Sequence, residues 1–127
     1  MAIVSFTAGE SISADDVVSL SDKGLLYKAI ATDISKARAI GVAIEAASIG
    51  NLVRVNVDSI YDGFSGLVPG DQQYLSLTVS GSLATYSVWQ SQFNSLTISG
   101  VFLTAVGRAL SSTALDIELS KPLYVTK

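Results

Sequence analysis

The carboxylates are the residues of this chain with the most chemical reach. Asp15 and Asp16 are consecutive, and Asp58, Asp62 and Asp71 fall in one turn-rich stretch. Paired carboxylates can exchange protons or hold a hard cation. On an extended strand, consecutive residues point to opposite faces, which would separate Asp15 from Asp16. The other three could converge on calcium. However, Asp62-Gly63 and Gly70-Asp71 are ordinary turn chemistry, and no Asp-x-Asp-x-Asp-Gly loop is present. The chain contains no His and no Cys. That removes the commonest general base, the commonest metal ligand, disulfides and thiolate chemistry. Serines are abundant, but a Ser-His-Asp arrangement has no base to work with. A Ser-Lys pair through Lys23, Lys28, Lys36 or Lys121 is formally available. Ser35 and Lys36 are adjacent rather than spaced, though, and a solvated loop lysine is the simpler reading. Gly63-Phe64-Ser65-Gly66 and Val68-Pro69-Gly70-Asp71 form no phosphate-cradling loop. No catalytic residue, cofactor or metal is expected, and the chain reads as a non-enzyme.

The elements that would position any working group are strands. Short β-rich runs are punctuated by Gly, Asp, Asn and Ser, and helical periodicity is nearly absent. Thr7 to Ser13 and Val17 to Leu20 lead into Ser21-Asp22-Lys23-Gly24. Gly24 can take the left-handed conformation of a tight hairpin loop, and Leu25 to Ala31 is the returning strand. Thr32 to Ala37 is polar, a loop or one short helical turn. Ala39 to Ile44 is a strand whose central Gly41 marks a bulge or a close backbone approach. Leu52 to Asp58 alternates most cleanly: Val53, Val55 and Val57 on one face, Arg54, Asn56 and Asp58 on the other. Ser59 to Gly70 holds turns. Gln73 to Val79, Leu83 to Val88 and Leu96 to Ile98 read as strands, with turns at Ser80-Gly81 and Ser99-Gly100. Val101 to Leu110 is a strand interrupted by Gly107, and Leu115 to Leu119 alternates until Pro122 closes it. An internal echo links Ile40-Gly41-Val42-Ala43 to Val106-Gly107-Arg108-Ala109, each followed by a turn and an alternating strand. In a small closed barrel such glycines relieve crowding at corners.

The expected fold is therefore all-β. It is a single domain over residues 1–127, with an amino-terminal arm over 1–6 and a carboxy-terminal tail over 120–127. About seven to ten short antiparallel strands with Gly-rich turns would form a closed or nearly closed barrel or sandwich. Closure would remove the edges that so apolar a sheet could not safely expose.

Composition narrows the function. Hydrophobic residues make up 49% of the 127 residues, charged residues only 15%, and the net charge is -3. That excludes disorder and suggests apolar surface covered by a partner. The basic residues are scattered along the chain, which argues against a nucleic-acid ligand. No basic amphipathic helix and no apolar run near the roughly 20 residues of a membrane helix is present, so no membrane partner is expected. No secretory leader is apparent, and synthesis in a host cytoplasm is expected. Among the aromatics, Phe6, Tyr27 and Tyr74 read as core or half-core, and Tyr61 and Phe64 as caps beside turns. Trp89 with Phe93 either plugs one end of the barrel or anchors an interface, where Trp is enriched. A sugar-binding reading through Trp89 and Tyr61 lacks a placed carboxylate pair.

Five segments in order resemble a recurrent structural pattern of tailed phages. Ala8-Gly9-Glu10-Ser11-Ile12 leading into Val17-Val18 resembles its Gly-Glu-x-Ile turn and Val-Val strand. Gly24-Leu25-Leu26-Tyr27-Lys28-Ala29 resembles Gly-x-x-Tyr-Lys-Ala, and Ala39-Ile40-Gly41-Val42-Ala43 its Ile-Gly-Val-Ala strand. Leu67-Val68-Pro69-Gly70 with Tyr74-Leu75-Ser76 resembles Leu-x-Pro-Gly-x-x-Tyr-Leu-Ser. Val106-Gly107-Arg108-Ala109-Leu110-Ser111 resembles its Val-Gly-x-Ala-Leu-Ser close. The pattern is that of the small β domains of capsid decoration (cement) proteins, shared with phage fibre, spike and baseplate proteins. The chain departs from it between Tyr86 and Ser99, where a shorter connection is expected, and in the added tail from Ser120.

The resemblance implies a structural virion protein on the capsid surface that binds the phage major capsid protein. It implies a homo-oligomer, a trimer above other states, that clamps neighbouring coat subunits; a head-fibre, tail-fibre or baseplate module is the alternative. Candidate contacts are Ile3, Val4 and Phe6 in the arm, Trp89 and Phe93, and Leu123, Tyr124 and Val125 in the tail. Either apolar end would add a strand to a neighbour's sheet, or else pair within its own barrel.

Overall fold

The computed structural model describes residues 3–98 and 100–126. Twelve short strands and one helix form three sheets. Five strands close a barrel in the order β1-β3-β2-β4-β5: β1 (Ile3–Ala8), β2 (Val17–Leu20), β3 (Leu25–Lys28), β4 (Ala39–Ala43) and β5 (Leu52–Asn56). The β1–β3 pair is parallel and the other barrel pairs are antiparallel. A second, wholly antiparallel sheet runs β6-β11-β10-β7-β8, from β6 (Ile60–Asp62), β7 (Gln72–Leu75), β8 (Leu83–Ala84), β10 (Ala105–Ala109) and β11 (Ala114–Ile117). The helix α1 (Tyr86–Ser95) follows β8, and β9 (Gly100–Leu103) pairs with β12 (Leu123–Thr126). The all-β expectation holds. The barrel accounts for less than half of the strands, and the total exceeds the expected number.

Burial explains which strands alternate and which do not. Val18, Leu26, Ala43, Val53 and Val55 fill the barrel interior. Val17, Ala39 and Val42 point out of the same wall into a second core, with Leu75, Leu77, Trp89, Val101, Val106, Leu115 and Ile117. β2 and β4 therefore have both faces covered, and their sequences, Val17-Val18 and Ala39 to Ala43, read as continuous apolar runs. β5 forms the outer wall: Val53 and Val55 are fully buried, Leu52 and Arg54 are exposed, and the strand alternates. The guanidinium of Arg54 meets Glu45 on that wet face at 3.1 Å.

The two echoed glycines do the same job in different sheets. β4 carries a bulge against β2 beside Gly41, and β10 carries one against β7 beside Gly107. A Cβ on Gly41 would overlap the Asn56 carbonyl oxygen, and one on Gly107 would overlap that of Asp116. Both positions are close approaches of one strand to its neighbour's backbone.

Several expected elements differ. Leu83 to Val88 is not one strand, because the chain turns at Thr85. The Thr85 hydroxyl caps the Val88 amide at 3.4 Å and α1 begins. That helix occupies the stretch where a short connection was expected. Leu96 to Ile98 is not a strand, and Val101 to Leu110 is two strands broken at Thr104, whose buried hydroxyl donates to the Ala37 carbonyl at 2.7 Å. The expected turn at Ser99-Gly100 falls partly on Ser99, outside the described residues; Gly100 begins β9.

Candidate functional site: exposed strands and an acidic cleft

The described residues toward both ends of the chain are built into sheets. The arm is not free: from Ile3 onward it is β1, in register with β5 from Ile3 opposite Asn56 to Thr7 opposite Leu52. Met1 and Ala2 of the expected arm lie outside the described residues. Phe6 is half-buried against the barrel core, while Ile3 and Val4 are 36% and 42% exposed. The tail is likewise paired, from Leu123 opposite Leu103 to Thr126 opposite Gly100, and Lys127 lies outside the described residues. Val125 packs half-buried on the second core.

The tail strand nevertheless stays open to a partner. Among the described residues β12 pairs only with β9, so its other edge offers unpaired backbone groups. Leu123 and Tyr124 beside that edge are 61% and 59% exposed. The β9–β12 pair is anchored by the Phe102 amide, which donates to the Ala31 carbonyl at 2.8 Å, and is braced by the packing of Phe102 on Tyr124. The edge is thus presented on a fixed support.

Trp89 and Phe93 are corrected as interface anchors. They are one helical turn apart on α1, 2% and 7% exposed, and they fasten α1 to the second core. The Trp89 indole N–H donates to the Phe102 carbonyl at 3.2 Å. Burial of the ring satisfies its one polar atom, so it has nothing left for a partner. Tyr86 stacks on Trp89 and is 53% exposed, a surface aromatic that sequence reasoning did not single out. The Tyr86, Trp89, Phe93 spacing of three and four residues was the available signal.

A cleft of about 470 Å³ lies between the barrel and the second sheet. Asp15 and Asp16 both line it, contrary to the expectation that they face opposite ways. They sit in a turn before β2, not on a strand, with Asp15 in the left-handed region at φ 75°. The Tyr61 hydroxyl donates to Asp15 Oδ1 at 2.5 Å, joining the second sheet to the barrel. Burial, reinforced by that hydrogen bond and the Asp15 charge, pushes the Tyr61 phenol far above its ordinary range. Burial also raises the Asp16 carboxyl, against the opposing pull of the Ser13 amide and of Lys28, whose Nζ lies 3.9 Å away. Asp58, Asp62 and Asp71 do not gather: among the described residues no three carboxylates come together as a metal site.

No protein-family model and no curated protein matches this sequence.

Proposed function

We propose that this protein is a structural component of a phage particle, a decoration protein that binds the outer surface of the assembled capsid and ties neighbouring coat subunits together. The observation that carries the reading is the open β12 edge with Leu123 and Tyr124 beside it. A rigid, apolar, unpaired strand edge is what a coat-protein segment needs in order to add a strand of its own. The chain's low charge and high apolar content, and the five motif segments that resemble cement proteins, support the same reading. In it the major capsid protein is the partner, the chain acts as a symmetric trimer, and its place is the capsid surface. Binding only the intact shell stabilises it by mass action, and many symmetric sites add through avidity.

Co-sedimentation tests this. Purified protein is mixed with expanded phage heads that lack it, and bound copies are counted per shell. The expected result is saturation at a fixed ratio to coat protein, with heads that better resist heat and dilution. Leu123→Lys, at an exposed side chain, should sharply weaken binding while the free protein keeps its melting temperature. Absence from heads, with a few copies at the tail instead, would refute the reading and favour the fibre or baseplate alternative.

A further inference from the structure

The cleft between barrel and second sheet holds a polar group that the fold leaves without a partner. Gln73 on β7 is 3% exposed and lines the cleft, yet its side-chain amide makes no hydrogen bond to any described residue. Other glutamines nearby are satisfied: Gln72 Nε2 donates to the Gly107 carbonyl at 2.9 Å, and Gln92 Oε1 accepts from the Leu77 amide at 2.9 Å. Among the described residues no fully covered side-chain nitrogen or oxygen lacks a partner. The Gln73 amide therefore keeps a narrow opening, and the cleft it lines provides it. A nearly buried amide held open in this way is costly unless something hydrogen-bonds to it.

The surrounding charges say what that something is. Asp15 Oδ1 is taken by Tyr61 and Asp16 Oδ2 by the Ser13 amide, which leaves one oxygen of each carboxylate free of a described hydrogen bond. Glu10 adds its negative charge to the field at Asp16, so three carboxylates stand against the single ammonium of Lys28. Among the described residues no basic side chain lines the cleft, and Phe64, Leu67, Leu83 and Val88 give it apolar walls. The amino-terminal end of α1, at Thr85, also lines the cleft, and its partial positive charge disfavours a cation beside it, which leaves the carboxylates to hold one.

We propose that this cleft binds an alkyl cation: an ammonium or guanidinium head held at Asp15, Asp16 and Gln73, with its aliphatic stem along Phe64 and Leu83. The same chemistry is carried by a lysine or arginine side chain of a partner polypeptide and by a free alkylamine. Such side chains lay their stems on apolar surface and keep the head polar. The inference goes beyond the capsid reading and uses only the free chain, so either can fail without the other.

The test is a titration followed by the side-chain amide signals of the ¹⁵N-labelled protein. The probes are N-acetyl-lysine N-methylamide, N-acetyl-arginine N-methylamide, n-butylammonium, and the neutral N-acetyl-citrulline N-methylamide. The expected result is a saturable shift of the Gln73 amide signal with a cationic probe and none with citrulline. Stronger binding of a blocked residue than of butylammonium assigns the site to a polypeptide side chain, and stronger binding of butylammonium than of either blocked residue to a free amine. Asp15→Asn keeps an oxygen for Tyr61 but drops a charge, and should weaken binding about tenfold or more. Gln73→Leu should do the same, and Asp22→Asn, in the exposed β2–β3 turn, should change nothing. If Gln73→Leu does not fold, the wild-type titration and Asp15→Asn still decide. No shift with any of the three cations, or an equal shift with citrulline, overturns the proposal.

Discussion

Replacing Gly107 with alanine should cost this protein a large part of its stability, for a reason visible in its backbone. Gly107 lies in β10, the middle strand of the second sheet, between β11 and β7. The added Cβ would overlap the Asp116 carbonyl oxygen and lie 3.0 Å from the Asp116 carbonyl carbon and 3.1 Å from the Ile117 Cα. These are backbone atoms, so no side-chain rotation relieves the clash. β10 can move from β11 only by disturbing its pairing with β7. Overpacking of this kind costs about 1–3 kcal/mol, and lost ladder hydrogen bonds bring it toward about 3. Stiffening of the unfolded chain returns about 0.4–1 kcal/mol, leaving a net loss of about 2–2.5. For a chain of this size that is a fall in Tm of roughly 8–10 °C. Gly24→Ala is the comparison. Gly24 has φ +78° with nothing within 4 Å, so alanine there meets only backbone strain, about 1 kcal/mol. Urea unfolding followed by the fluorescence of the single tryptophan, the buried Trp89, gives both numbers. A Gly107→Ala midpoint at or above that of Gly24→Ala, with unchanged m-values, would refute the close-approach argument.

Three further outcomes are expected. Trp89→Ala should destabilise by about 3–5 kcal/mol, since it empties the second core and leaves the Phe102 carbonyl without its donor; a loss under about 1 kcal/mol in calorimetry would show that α1 is not fastened through this ring. The folded protein holds the Asp16 proton more tightly than the unfolded chain does, so Asp16 costs stability at neutral pH and ceases to as pH falls below the usual aspartate range; Asp16→Asn should raise Tm at pH 7, and the gain should vanish on acidification, whereas a pH-independent gain would point to packing. Tyr61 likewise keeps its proton in the folded state where the unfolded chain loses it, so stability should decline as pH rises through about 10; Tyr61→Phe should lessen that alkaline decline, and a difference spectrum in which all five tyrosines ionise while the protein stays folded would contradict the buried bond to Asp15.

The parts of the fold that were legible are those in which local chemistry and tertiary role coincide. Gly24 sits at φ +78° in the hairpin turn its sequence calls for, and the Val53 and Val55 face is the barrel interior. Gly41 and Gly107 are the close approaches their mid-strand positions suggest. The helix was illegible because Tyr86 to Ser95 carries no charge at either end and is rich in Ser, Gln and Asn. Its stability comes from Trp89 and Phe93 in the core, not from propensity. The same two rings look like interface residues in sequence, since a polar neighbourhood is equally the outer face of a buried helix.

The acidic cleft was hidden for a different reason. Strand alternation assigns Asp15 and Asp16 to opposite faces. The amide of Asp15 bonds the Ala43 carbonyl, and that of Val17 bonds the Gly81 carbonyl. Those long-range bonds hold the segment as a turn and bring both carboxylates into the cleft that Gln73 also lines, more than fifty residues downstream in the chain. Gln73 in turn reads as an unremarkable strand residue until the sheet that carries it packs on the barrel. A binding site assembled between two sheets has no local signature, because its residues come together only when the sheets pack. What marks it is the residue neither half satisfies, and here that residue is the side-chain amide of Gln73.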